Sequence, residues 1–157
     1  MKNKKAILFG LLIVLLLLPY SQVAVGQEFS GGAKLVDTSP FVFTEARFGI
    51  IAVELGAGLV SPDDVPAGYE ESNIEISLAG KIYPLKMRNL SPYLGASTHY
   101  STNGTFTQSR TFGGVQFDFP GGGAPISAFA GADIVFTETG GEGYGWHFGV
   151  KYKFSFG

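Results

Sequence analysis

The C-terminal segment, residues 144–156, constrains the fold more than any other part of the chain. Every second residue in it is large and apolar, and the residues between them are small or polar. The apolar positions are Tyr144, Trp146, Phe148, Val150, Tyr152, Phe154 and Phe156. A strict period of two predicts a β-strand with one apolar and one polar face. So large an apolar face is typical of a strand that meets lipid on one side and a barrel interior on the other.

The N-terminal segment has the pattern of an export signal. Three lysines among the first five residues precede an apolar run at 6–18, and small residues follow at Ala24 and Gly26. This order predicts a secretory signal peptide at 1–26, cleaved before Gln27. The alternative is an uncleaved anchor, but the run is shorter than the ~20 residues of a spanning helix. The mature chain, 27–157, is then one domain by size.

Charge and composition exclude several classes of protein. Without the three signal-peptide lysines, eight basic residues remain against 13 acidic ones, which argues against nucleic-acid binding. There are no cysteines, so neither disulfides nor a thiolate metal site is expected. After residue 26 no apolar run is long enough for a membrane helix. An exported chain of alternating strands therefore points to the outer membrane of a Gram-negative cell.

Period-two alternation repeats along the mature chain. Together with the last strand it marks six strands, the first five at 50–59, 74–83, 90–101, 110–119 and 126–136. Bacterial single-chain barrels have an even number of strands, eight or more. The remaining residues, 27–46, are expected to supply a short first hairpin with a turn at 37–40; a seven-element count is the alternative. The predicted fold is all-β, an antiparallel up-and-down transmembrane β-barrel of eight strands.

Turn signals separate these strands and assign their connections to two sides. Asn103-Gly104 is the strongest, because both residues tolerate the positive φ of a two-residue hairpin turn. If the C-terminus is periplasmic, three connections face outward: 61–72, 103–104 and 138–143. The connections at 86–89 and 120–125 then face the periplasm.

Charged residues share the predicted inward faces. The acids are Glu54, Glu75, Asp118 and Asp133, and the bases are Lys81, Arg110, Lys151 and Lys153. Lys or Arg pointing at lipid would cost about 2–4 kcal/mol each at the bilayer midplane. An eight-stranded barrel is just wide enough for side chains to fill it. We therefore expect an ion-paired polar plug and not an open pore.

The alternating strands and the ending 149–156 resemble the small outer-membrane β-barrel family that includes the OmpA membrane domain, OmpX and the opacity-type adhesins. The resemblance implies that Tyr152, Phe154 and Phe156 form a C-terminal signal for the barrel-assembly machinery, although Gly157 follows them here. It also implies a monomer surrounded by outer-membrane lipid and lipopolysaccharide, without a cofactor. The expected role is structural or interactive at the cell surface.

One pair of residues carries a catalytic hypothesis. His99 and Ser101 share a predicted strand face, and a nearby carboxylate would complete a Ser-His-acid set. The spacing is similar to the His-x-Ser pattern of outer-membrane lipid A deacylases, whose site faces lipid and whose Glu follows about a strand later. Here both residues are predicted to face the lumen, and no Glu lies between Glu75 and Glu138. We expect His99, like His147, to be a structural lumen residue, with no metal site, and keep a lipid A-modifying hydrolase as the alternative.

A secreted soluble barrel of lipocalin type is the other alternative. It would place the aromatic residues inside and the charges in water. Inverting the faces in this way puts fewer charges in the interior. Behaviour in membranes separates the two interpretations.

Overall fold

The alternating segments form eight β-strands that pair with their neighbours in sequence, and the last strand closes against the first in an antiparallel barrel. The structure, a computed structural model, describes residues 27–59, 74–101, 106–120, 125–137 and 140–154. The strands are β1 Gln27–Val36, β2 Ser39–Phe48, β3 Ile51–Leu59, β4 Ile74–Ile82, β5 Leu90–Ser101, β6 Phe106–Asp118, β7 Ile126–Thr137 and β8 Glu142–Phe154. The predicted eight-stranded up-and-down barrel is thereby confirmed. Within these ranges no helix has the length and apolar character needed to cross a membrane.

The N-terminal hairpin is longer than the sequence suggested. Each of its strands has 10 residues, so the expectation of a short hairpin was wrong. Its turn is also tighter than 37–40, because Val36 pairs with Ser39 and leaves only Asp37 and Thr38 between the strands. Asp37 has a φ of 54°, a left-handed conformation that aspartate tolerates better than most residues. The predicted signal peptide lies outside the described residues.

The two faces of the barrel wall are reversed relative to a soluble protein. Buried charged side chains and the two histidines point inward, while large apolar side chains on β2 to β8 are exposed. Most of the remaining outward positions hold glycine, alanine, proline or threonine. Charged and polar groups are therefore concentrated in the interior of this barrel, and its outside is predominantly apolar.

The connections lie at two ends of the barrel, named here for what they contain. The terminal end holds the start of β1, the end of β8 and the connections after β2, β4 and β6. The loop end holds the connections after β1, β3, β5 and β7. The predicted turn at 103–104 and the loop at 61–72 lie outside the described residues. Close to the β5–β6 connection, the register of this strand pair shifts by one residue between His99 and Tyr100.

An aromatic cluster fills the lumen between the charged groups. Phe43 packs against Phe129 edge to face, with ring centroids 5.6 Å apart. Tyr93 meets Phe112 in the same way at 6.2 Å. Tyr83 joins the buried cluster next to Tyr93. Because the interior of an eight-stranded barrel is just wide enough for side chains to fill, these rings occupy the space between the charged groups.

Candidate functional site in the barrel lumen

Five charged side chains form a central network in the lumen. Lys34 and Lys81 each place the ammonium group 2.5 Å from a carboxylate oxygen of Glu54. Lys81 also contacts Glu45 at 2.7 Å, and Lys151 donates to the other oxygen of Glu45. Both glutamates are fully buried. Three cations and two anions therefore alternate, so that every buried charge in this network has an opposite partner.

Strand register explains why this network needs Lys81. Glu45 and Glu54 stand directly opposite each other in the β2–β3 pair. Like charges in that position destabilise a sheet. Lys81 enters from β4 and bonds to both carboxylates. The hydroxyl of Tyr83 lies 3.3 Å from Glu45 and adds a neutral donor.

A second network crosses the lumen nearer the loop end. Arg110 bonds to Asp37 at 2.7 Å and to Asp133 at 3.0 Å. The other oxygen of Asp133 lies 2.5 Å from Nδ1 of His147, and the Tyr93 hydroxyl lies 2.6 Å from Nε2 of the same ring. A neutral imidazole that donates from Nδ1 accepts at Nε2. The chain of contacts thus joins the turn after β1 to β5, β6, β7 and β8 across the interior.

His99 lies in a third, smaller group. Its Nδ1 is 2.7 Å from Glu75, and the Ser97 hydroxyl is 3.1 Å from its Nε2. The order of hydroxyl, imidazole and carboxylate is that of a Ser-His-acid set. The hydroxyl beside the ring belongs to Ser97, whereas Ser101 lies opposite Glu75 in the β4–β5 pair. The carboxylate comes from the preceding strand, which sequence reasoning did not consider.

The space around His99 limits what this group can do. Asp37, Glu75, His99 and Arg110 line a cavity of about 210 Å³ toward the loop end. Ser97 is not among its lining residues and instead borders a void of about 20 Å³. A void of that size holds a single water molecule. The Ser97 hydroxyl therefore has no room for an ester substrate, and the group forms a buried hydrogen-bonded network.

A fourth group closes the lumen at the terminal end. One oxygen of Asp118 accepts bonds from Ser127 at 2.7 Å and Gln116 at 2.8 Å. Lys153 lies 3.1 Å from the same oxygen and 3.5 Å from Glu28. Asp118 and Lys153 are partly exposed, which places them at the mouth of the barrel.

Six of the eight predicted charged residues are buried in the lumen, and the other two, Asp118 and Lys153, lie at its mouth. Sequence reasoning missed four others that contribute there: Glu28, Lys34, Asp37 and Glu45. All four belong to the first hairpin, whose phase the alternation did not settle. The charge of Glu45 was a usable signal, because an ionised residue in a barrel strand is expected to face inward.

The aromatic residues of β8 lie on its outer face. Tyr152 and Phe154 are both exposed, and their ring centroids are 5.4 Å apart. Trp146 and Phe148 stack at 5.3 Å with nearly parallel rings. Phe156, the third residue of the predicted insertion signal, lies outside the described residues.

Comparison with known proteins identifies the fold. No family model and no curated protein matches the sequence. Among solved structures, the barrel is similar to one from the de novo design of transmembrane β-barrels, with a TM-score of 0.57 and 12% identity over 83% of this chain and 98% of that one. It is also similar to a major outer membrane protein from Thermus thermophilus, with a TM-score of 0.44 and 14% identity over 83% of this chain and 100% of that one. The first similarity shows the closed-barrel fold and nothing about activity.

Proposed function

We propose that this protein spans the outer membrane of a Gram-negative cell as a small β-barrel with a plugged lumen and a structural or surface-interaction role. The reversed wall carries the proposal. Large apolar side chains are exposed on seven consecutive strands, β2 to β8. Apolar patches beyond a few hundred Å² are rare on soluble monomers. Lipid around the barrel would remove this surface from water.

The distribution of charge supports the same location. Among the described strand residues, the charged side chains follow the inward phase, and Glu142 at the loop-end start of β8 is the exception. A charge on a lipid-facing strand is costly at the midplane and cheap near the interfaces. Glu142 lies where that cost is lowest. A soluble barrel has no physical reason to keep charges off its outer wall.

The lumen supports a non-porin role. Its centre is occupied by ion pairs and packed rings, so a solute would have to separate buried opposite charges in order to pass. Breaking a buried pair is strongly unfavourable. The barrel is therefore suited to membrane attachment and to contacts at its ends. Diffusion through its interior is not supported by this arrangement.

Folding and permeability of the mature chain, 27–157, test the proposal together. In lipid vesicles we expect β-type circular dichroism, and faster gel migration for unboiled than for boiled samples. Vesicles containing the barrel are expected to remain impermeable to small sugars in a swelling assay, because the lumen is filled. High solubility in detergent-free buffer without a gel shift would indicate a soluble binding barrel instead. Rapid swelling would contradict the plugged lumen.

The C-terminal strand supports the assignment to assembly-machinery substrates of the OmpA and OmpX kind. Its aromatic residues Tyr152 and Phe154 project outward and remain accessible. The partners in this proposal are outer-membrane lipid, lipopolysaccharide and, during insertion, the barrel-assembly machinery. The protein acts as a monomer and uses no cofactor.

Lipid A analysis tests the hydrolase alternative. We expect cells producing the wild type, Ser97→Ala or His99→Ala to show the same lipid A acylation by mass spectrometry, since the void that Ser97 borders, about 20 Å³, is too small for an ester substrate. Ser91→Ala, a buried serine on the same strand face that belongs to no proposed catalytic set, is the matched control. Acyl-chain release that is present in the wild type and lost in His99→Ala would establish the hydrolase and contradict the structural role.

A further inference from the structure

The connection between β4 and β5, residues 83–89, extends the apolar wall beyond the strands. Leu85 and Met87 are exposed in it, and Ile50 is exposed in the neighbouring turn after β2. The backbone N–H of Tyr83 donates to the carbonyl of Ile50 at 2.7 Å, which joins the two connections. The terminal end thus carries apolar side chains that continue the outer wall of the barrel.

Basic side chains lie among these apolar ones. Lys86 and Arg88 are exposed in the same connection. Arg47, at the end of β2, places its guanidinium 4.0 Å from the ring centroid of Tyr83. Its Nε–H donates to the carbonyl of Gly49 at 2.9 Å, so this cation is held at the same end. Because Arg47 follows the inward phase of β2 and lies over a lumen ring, we define only the exposed Lys86 and Arg88 as the basic rim.

Arg88 occupies a position that its residue type does not favour. Its φ is 50°, a left-handed conformation in which glycine and asparagine are far more common than arginine. Two backbone hydrogen bonds between Met87 and Leu90, of 2.7 and 2.8 Å, enclose Arg88 and Asn89 in a tight turn. A non-glycine residue kept in such a conformation suggests a role for its side chain.

The two ends of the barrel differ in charge. At the terminal end the acids Glu28 and Asp118 are both already in contact with Lys153. The basic rim therefore sets the sign of the field there. At the loop end Asp37 is likewise paired, with Arg110, but Glu142 is exposed, and the segment joining β3 to β4 adds four acidic residues and no basic one in sequence. Within the ranges that the structure describes, the exposed basic side chains lie at the terminal end.

We propose that the basic rim binds the phosphate groups of anionic glycerophospholipids in the leaflet that surrounds the terminal end. Leu85 and Met87 then lie at the boundary of the acyl chains, and the long stems of Lys86 and Arg88 carry their charges up to the headgroups. Lys and Arg near an anionic membrane surface are attracted to it. This inference rests on the proposed membrane location and adds the lipid class and the orientation.

Lipid selectivity of the folded barrel tests the inference. The mature chain is folded into phosphatidylcholine vesicles with trace spin-labelled phosphatidylglycerol or spin-labelled phosphatidylcholine, and the immobilised fraction of each label is measured. We expect the wild type to prefer phosphatidylglycerol, by about fivefold for each cation close to the surface. The preference is expected to fall as salt is raised.

Two variants separate charge from folding. In Lys86→Gln/Arg88→Asn the preference is expected to disappear, while asparagine tolerates the left-handed turn. Glu142→Gln, a neutralisation at the opposite end, is expected to keep it. The heat-dependent gel shift is measured on the same samples to report folding. If the wild type failed to fold in lipid, the proposed function would be refuted, and this outcome is distinct from loss of lipid preference in a folded barrel.

The inference is overturned if the folded wild type shows no preference, or if the double variant retains it. Loss of the preference in Glu142→Gln would also overturn it, because the effect would then not belong to the basic rim. Cross-linked dimers that the double variant abolishes, without lipid preference, would assign the rim to a second copy of the chain and refute the lipid role.

Discussion

Glu45→Ala is expected to lower the free energy of unfolding by about 3–5 kcal/mol, the range for breaking a buried ion pair. Glu45 is buried and contacts both Lys81 and Lys151. Lys81 keeps its second partner, Glu54, but Lys151 loses the only described carboxylate within ion-pair distance. The measurement is a urea titration in lipid vesicles followed by the fluorescence of Trp146, the single tryptophan.

Two further variants identify the source of that effect. Glu28→Ala removes a partly exposed acid 3.5 Å from Lys153, and we expect a loss of about 1 kcal/mol or less. Glu45→Gln combined with Lys151→Met removes both charges of one pair and is expected to be less destabilising than Glu45→Ala. Equal losses for Glu45→Ala and Glu28→Ala would contradict the central position of Glu45 in the lumen.

Val150→Arg is expected to destabilise the barrel in lipid by about 2–4 kcal/mol. Val150 is 53% exposed and lies on the outer face of β8, between Trp146 toward the loop end and Phe154 toward the terminal end. In a bilayer this position is near the middle of the apolar wall, where a charge loses its hydration. The same urea titration gives the change in the free energy of unfolding.

Tyr144→Arg is the matched control for this substitution. Tyr144 is on the same face of the same strand, is 94% exposed and lies near the loop end. A charge near the interface is expected to cost about 0–1 kcal/mol. Exposed surface substitutions in a soluble protein usually change stability by less than about 0.5 kcal/mol. No effect at either position would therefore mean that the wall faces water.

The charged groups in the lumen show how much of the candidate site can be predicted from strand alternation. The phase of β4 already placed Glu75 and Lys81 on the inward face, and that of β5 placed His99 there. Alternation is a local property, because successive side chains on a strand point to opposite faces. Alternation therefore predicts whether a side chain faces the lumen or the outside, but it does not predict which other side chain it contacts. Pairing of His99 with Glu75 depended on the β4–β5 register, which joins residues far apart in the chain.

The sequence by itself determined the alternating strands of a β-barrel, since strict alternation in β8 and the confinement of charges to one phase favour one polar and one apolar face, with the apolar face outward preferred over the inverted, soluble arrangement. It did not determine the first hairpin, because β2 carries Phe41 and Phe43 on one face and Val42 and Phe48 on the other. Only closure of β1 against β8 brought Lys34 and Glu45 into the lumen. Contacts among buried charges depend on all the strands that surround them, and so the tertiary structure decided which acid neutralises which base.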